Sequence, residues 1–202
     1  MVRMSMSLAG ASSPSYNVVE AYNSMKRGIL YIIIGWLLIG VGLMTLLGIF
    51  AITPIGVRSF GLVMAITVIA LIVIGAIIGL VGLYAHFIPG TTKLASIDPR
   101  YSTAATLTKI GYVWGLVLLI IGVPLIFAFF IGLPVMIVGY ILLILGYVGV
   151  IILCFKLNEV EQNTLYLVAG IMFIIAIFIS VVGFVAWILL YVALGDSIRK
   201  HA

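Results

Sequence analysis

The groups able to do chemistry in this chain are few, and their spacing keeps them apart. Its histidines are His86 and His201, its one cysteine is Cys154, and its acids are Glu20, Asp98, Glu159, Glu161 and Asp196. A structural zinc site wants four Cys or His ligands, and three candidates on distant segments cannot supply it. His86 falls at the end of an apolar run and His201 beside the C-terminus, so a bis-histidine haem site in mid-membrane is excluded. Nucleophilic catalysis needs a base close to a Ser or Cys. Cys154 and Ser180 have no His or acid in their own runs. These residues predict no catalytic site, no metal and no cofactor. A single cysteine allows no intrachain disulfide and reads as a small packing residue.

Proton relays, ion-coupled pumps and voltage sensors keep ionisable side chains inside the bundle. Every acid here lies outside the apolar runs, which argues against all three. What remains within the runs is hydroxyl groups and one proline. Thr45, Thr67 and Tyr140 fall at similar depth and form a candidate intramembrane polar cluster, and Tyr147 repeats the Gly-Tyr pair of Tyr140. Buried hydroxyls need partners. Interhelical hydrogen bonds are the plain reading, and a quinone or lipid site the sharper one. Pro124 frees the carbonyl of Ile120 and predicts a kink in its helix.

These groups must be carried by membrane helices. Residues 28–53, 60–86, 110–133, 134–155 and 165–194 contain no Asp, Glu, Lys or Arg. About 20 apolar residues cross a hydrocarbon core of about 30 Å as a helix, and only helices or closed barrels satisfy their backbone in lipid. The chain is 65% hydrophobic and 7% charged, with mean hydropathy +1.44, against about 25% charged residues in soluble domains. The fold class is therefore all-α, a polytopic membrane protein of five spans. The charge-free stretch 110–155 would run about 69 Å as one helix, so it must turn, and Gly132-Leu133-Pro134 is the best place.

Outside the spans, residues 1–27 read as a Ser-rich tail and an interfacial helix, without the apolar core of a signal peptide. Val18, Tyr22, Met25 and Ile29 give that helix one apolar face. Residues 87–109 read as a loop on the membrane surface with a turn at Asp98-Pro99, and 196–202 as a short polar tail. Arg3, Lys26, Arg27, Lys93, Arg100, Lys109 and Lys156 then share one side, against Arg58, Arg199 and Lys200 on the other. The positive-inside rule puts the N-terminus in the cytoplasm and, with five spans, the C-terminus outside. Tyr31, Tyr84, Tyr112, Trp114 and Tyr166 fall at the inner interface, Trp187 and Tyr191 at the outer one.

Glycine organises the spans. Gly28, Gly35 and Gly42 recur at heptad spacing in the first; Gly75 and Gly82 flank Gly79 in the second; Gly115 and Gly122 follow Gly111 in the third; Gly132, Gly139 and Gly146 line the fourth. Small residues on one face let backbones approach where lipid removes the hydrophobic drive between helices.

Three segments carry a resemblance: NSMKRGILYII, KLASIDPRYSTAATLTKIGYVWG, and VAGIMFI with VAWILLYVALGDSI. Together they resemble an uncharacterised family of small archaeal integral membrane proteins, found chiefly in thermoacidophilic and hyperthermophilic crenarchaea. The likeness covers most of the chain and implies a domain of unknown function, with no activity or site residue to carry over.

The functional expectation is a non-catalytic protein of the plasma membrane, an accessory subunit of a larger complex or a homo-oligomeric scaffold. Its partners would be membrane lipids, other integral subunits or copies of itself, and not nucleic acid. The alternative is a small channel or carrier for an uncharged or weakly polar solute. An enzyme working at the membrane surface is the third reading, and it finds no residue constellation.

Overall fold

The computed structural model describes residues 14–52, 58–129 and 132–201, so Arg3 and the rest of the N-terminal tail lie outside the described residues. Helix α1 spans Pro14–Ile52 and α2 spans Arg58–Val81. A π-helical turn over Gly82–Phe87 carries α2 straight into α3, Ile88–Ile97. A 3₁₀ corner at Pro99–Tyr101 opens α4, Ser102–Phe129, and α5 follows over Gly132–Glu161. The chain ends with α6, Thr164–Ala176, and α7, Ser180–His201. The described residues contain no strand.

Two long antiparallel hairpins, α1–α2 and α4–α5, make the walls, and both are closed by glycine. A Cβ on Gly35 would stand 2.6 Å from the Gly75 carbonyl oxygen, and one on Gly82 would stand 2.6 Å from the Gly28 oxygen. One on Gly42 would stand 2.6 Å from the Ile72 side chain. The second hairpin repeats the device. Gly111 meets the Gly146 backbone, a Cβ on Gly115 would stand 2.9 Å from the Gly139 oxygen, and Gly122 meets Met136 and Gly132. Neither wall has room for a methyl group along its seam. Without a hydrophobic drive in lipid, such close packing is what holds helices together.

The walls pack little on each other directly; α6 and α7 bridge them, α6 against α5 and α7 against α1. Aromatic rings continue the bridge. Phe87 meets Trp187 edge-on at 5.3 Å, Trp187 meets Phe173 at 5.0 Å, and Phe173 meets Tyr147 at 5.5 Å.

Five helices are long and apolar enough to cross a membrane: Asn17–Gly48, Met64–Ile97, Pro99–Ile126, Gly132–Glu161 and Ser180–His201. Several expectations change. Residues 165–194 are not one continuous helix. They break at Ile177–Ile179 into α6 and α7, which pack together as a hairpin. At 1.5 Å per residue the 13 residues of α6 reach only about 20 Å, short of the hydrocarbon thickness. Phe178 stands 85% exposed at the hairpin's tip.

Residues 87–109 are not a loop. Pro89 sits in the first turn of α3, where its missing N–H costs nothing, and α4 already begins at Ser102. The N-terminal segment runs unbroken into the first span. It belongs to α1, with Ala21, Tyr22 and Met25 buried. Gly132-Leu133-Pro134 does not turn but opens α5, and α4 runs on through Pro124. Residues 196–201 are the last turns of α7, with Ser197 buried. Trp187 packs in the core, and Tyr191 receives the Lys26 ammonium over its ring at 4.9 Å, at the end opposite the one expected.

Candidate functional site

The charged end of the bundle is built from four pieces of chain. The tight α5–α6 reversal supplies the first. Gln162 takes a left-handed conformation with φ 54°, and its N–H closes on the Asn158 carbonyl at 3.0 Å. Asn163 then caps α6 by accepting from the Leu165 N–H at 3.0 Å. That reversal leaves Glu161, the last residue of α5, facing inward with its side chain 3% exposed.

The other three pieces converge on Glu161. From α1, the Tyr22 hydroxyl donates to Glu161 Oε1 at 2.8 Å. From α7, His201 Nε2 lies 2.9 Å from the same oxygen. Lys200 Nζ donates to the Glu161 carbonyl at 3.1 Å and lies 3.7 Å from its carboxylate. The 3₁₀ corner contributes Tyr101, whose buried hydroxyl has no hydrogen-bond partner. Beside it, the Tyr166 and Ser197 hydroxyls share a hydrogen bond of 2.8 Å. A cavity of about 460 Å³ opens over this cluster, rimmed by Asp98 and Arg100.

All five acids pair with a base, but only Glu161 does so in the interior. Glu20 meets Lys93, Glu159 meets Lys156, and Asp196 meets Arg199 on the surface, where such pairs contribute little. Asp98 accepts from Arg100 through side chain and backbone, and these bonds hold its carboxyl below the usual range. A buried carboxylate without partners would be strongly destabilising. Glu161 has partners on two other helices, Tyr22 on α1 and Lys200 and His201 on α7, so it ties both to the end of α5.

His201 and Tyr22 both bond Glu161, so the last turn of α7 and the start of α1 meet at one end of the bundle, where the sequence expectation had residues 1–27 and 196–202 on opposite sides. Sequence reasoning placed Glu161 outside the spans, without a partner. Tyr22 and Glu161 are 139 residues apart, and no local spacing links them.

The sequence-predicted residues fall elsewhere. Gly35, Gly42, Gly75, Gly82, Gly115, Gly122, Gly139 and Gly146 lie on the two seams. Gly79 touches Gly35 through its backbone, yet a Cβ on Gly79 would meet nothing. Its open side faces a second cavity, of about 450 Å³, between the walls. Thr45 donates to the Val41 carbonyl of its own helix at 2.8 Å, and Tyr140 stands 63% exposed on the other hairpin. His86 stacks on Tyr31 at 5.4 Å within the π-turn, and its carbonyl accepts from Ser24 at 2.9 Å.

Apolar helices in glycine-closed hairpins, with their ionisable groups gathered at one end, define a polytopic helical membrane protein. A family model described as a protein of unknown function, DUF973, matches residues 18–202, and the chain belongs to that family. No curated protein and no solved structure matches it.

Proposed function

We propose that the chain is a non-catalytic protein of the plasma membrane that works by contact, as an accessory subunit or a homo-oligomeric scaffold. One observation carries this reading. On α1, a Cβ on Gly40 or Gly48 would meet nothing among the described residues. Leu37, Val41 and Met44 stand exposed on the same stretch, Met44 at 73%. Glycine in a helix interior costs about 1 kcal/mol relative to alanine. On the seams that cost is offset by close approach, and a neighbouring membrane helix would offset it here in the same way. That helix belongs to another integral subunit or a second copy, with lipid covering the remaining apolar faces.

Crosslinking in native membranes tests this. The wild type should give a defined adduct and Gly40→Leu should lose it, with the stability of the purified chain unchanged. An adduct that persists in Gly40→Leu would sink this face as the contact. The channel reading has its own arm. Liposomes holding the purified chain should show no solute flux above empty vesicles. Flux abolished by Thr67→Val or Tyr140→Phe would replace the contact reading with the channel.

A further inference from the structure

We propose that the cavity between the two walls binds one chain-tailed amphiphile carrying a carbonyl acceptor, admitted sideways from the bilayer. The cavity measures about 450 Å³, within the range of roughly 300–1,000 Å³ usual for ligand pockets. Gly35, Gly75 and Gly79 line one wall, Tyr112 and Tyr147 the other, and Trp187 forms the floor. It lies among helices apolar enough to span a membrane, so its occupant must be soluble in lipid.

Two features go beyond an apolar fissure. Gly79 is not required by the α1–α2 seam in the direction of a side chain, and bare backbone there keeps the cavity open. Tyr112 and Tyr147 line the opposite side, and among the described residues the Tyr112 carbonyl accepts from Tyr84 while neither the Tyr112 nor the Tyr147 hydroxyl makes a hydrogen bond. The Tyr147 hydroxyl lies 3.7 Å from where a Cβ of Gly183 would stand, so it points towards the α6–α7 hairpin beside the floor. A hydroxyl withdrawn from water is costly unless something accepts its proton. A carbonyl oxygen on the occupant meets that need, and the apolar walls take its chain. An ester-linked lipid and a prenyl-type quinone both offer this chemistry. The site does not depend on what docks on the outer face of α1.

Native mass spectrometry of the delipidated full-length chain tests the site. The probes are a diester phosphatidylglycerol, its dialkyl ether analogue without carbonyls, and a decyl-substituted benzoquinone. At least one carbonyl-bearing probe should form a one-to-one adduct. Gly79→Leu and Ala76→Leu fill the cavity from the same wall, and both should abolish that adduct. Tyr147→Phe should weaken it by roughly fivefold, the worth of one hydrogen bond. The ether analogue should bind more weakly and ignore Tyr147→Phe. Preference between diester and quinone then identifies the source of the carbonyl. Three results would each overturn the proposal: no adduct with either carbonyl probe, undiminished adducts in both cavity-filling variants, or equal binding of diester and ether.

Discussion

Tyr22 donates a hydrogen bond of 2.8 Å to Glu161, which joins the start of the first helix to the end of the fifth. The same carboxylate meets His201 at 2.9 Å, so one buried group clasps the start of α1 and the end of α7. Removing the donor should therefore loosen more than one contact.

Tyr22→Phe and Tyr101→Phe make the same chemical change a short distance apart, with opposite expected signs. Tyr22→Phe removes a hydrogen bond to a buried carboxylate, a loss of about 1.5–3 kcal/mol. That corresponds to a fall in apparent Tm of roughly 3–12 °C for a chain of this size. Tyr101→Phe removes a buried hydroxyl that has no partner, and should leave stability unchanged or raise it by about 1 kcal/mol. Thermal denaturation in one mild detergent compares them. Equal losses would show that the Tyr22–Glu161 bond adds nothing beyond packing.

The glycine seams make a similar paired prediction. A Cβ on Gly35 would press on the Gly75 oxygen at 2.6 Å, whereas one on Gly40 would meet open space. Gly35→Ala should cost about 1–3 kcal/mol as the hairpin is forced apart. Gly40→Ala should gain about 0.5–1 kcal/mol through helix propensity. A stable Gly35→Ala protein would mean the seam can relax without cost.

Those seams were legible in the sequence because heptad glycine is a local, periodic signal, and membrane class was legible from charge alone. The α6–α7 break was harder to see. Ile177, Phe178 and Ile179 offer no Gly, Pro or charge to mark a turn. Length arithmetic held the clue all the same: as one helix, 165–194 would run about 45 Å, well beyond the hydrocarbon thickness. Pro89, Gly90 and Asp98-Pro99 made 87–109 resemble a loop, although Pro89 is tolerated at a helix start and Lys93 pairs with Glu20. The Glu161 clasp left no trace, because its partners meet only after every helix is in place.

The corrected hairpin changes the charge balance across the membrane. Lys26, Arg27, Lys93, Arg100, Lys109, Lys156, Arg199 and Lys200 lie towards the Glu161 end, while Arg58 opens α2 at the far end. Read across five spans, the C-terminal Arg199-Lys200 pair opposed the positive-inside rule; returned to the Glu161 end, it agrees. That end should therefore face the cytoplasm, with both termini. Single-cysteine variants Ser96→Cys, Arg199→Cys and Arg58→Cys, each with Cys154→Ala, test this with an impermeant thiol reagent. Ser96 and Arg199 are exposed, so their cysteines should react once membranes are opened. In intact cells only the Arg58→Cys variant should label. Labelling of Arg199→Cys but not Ser96→Cys would restore opposite sides for the termini and contradict the His201–Glu161 contact. Labelling of both, with Arg58→Cys protected, would keep the fold and invert it in the membrane.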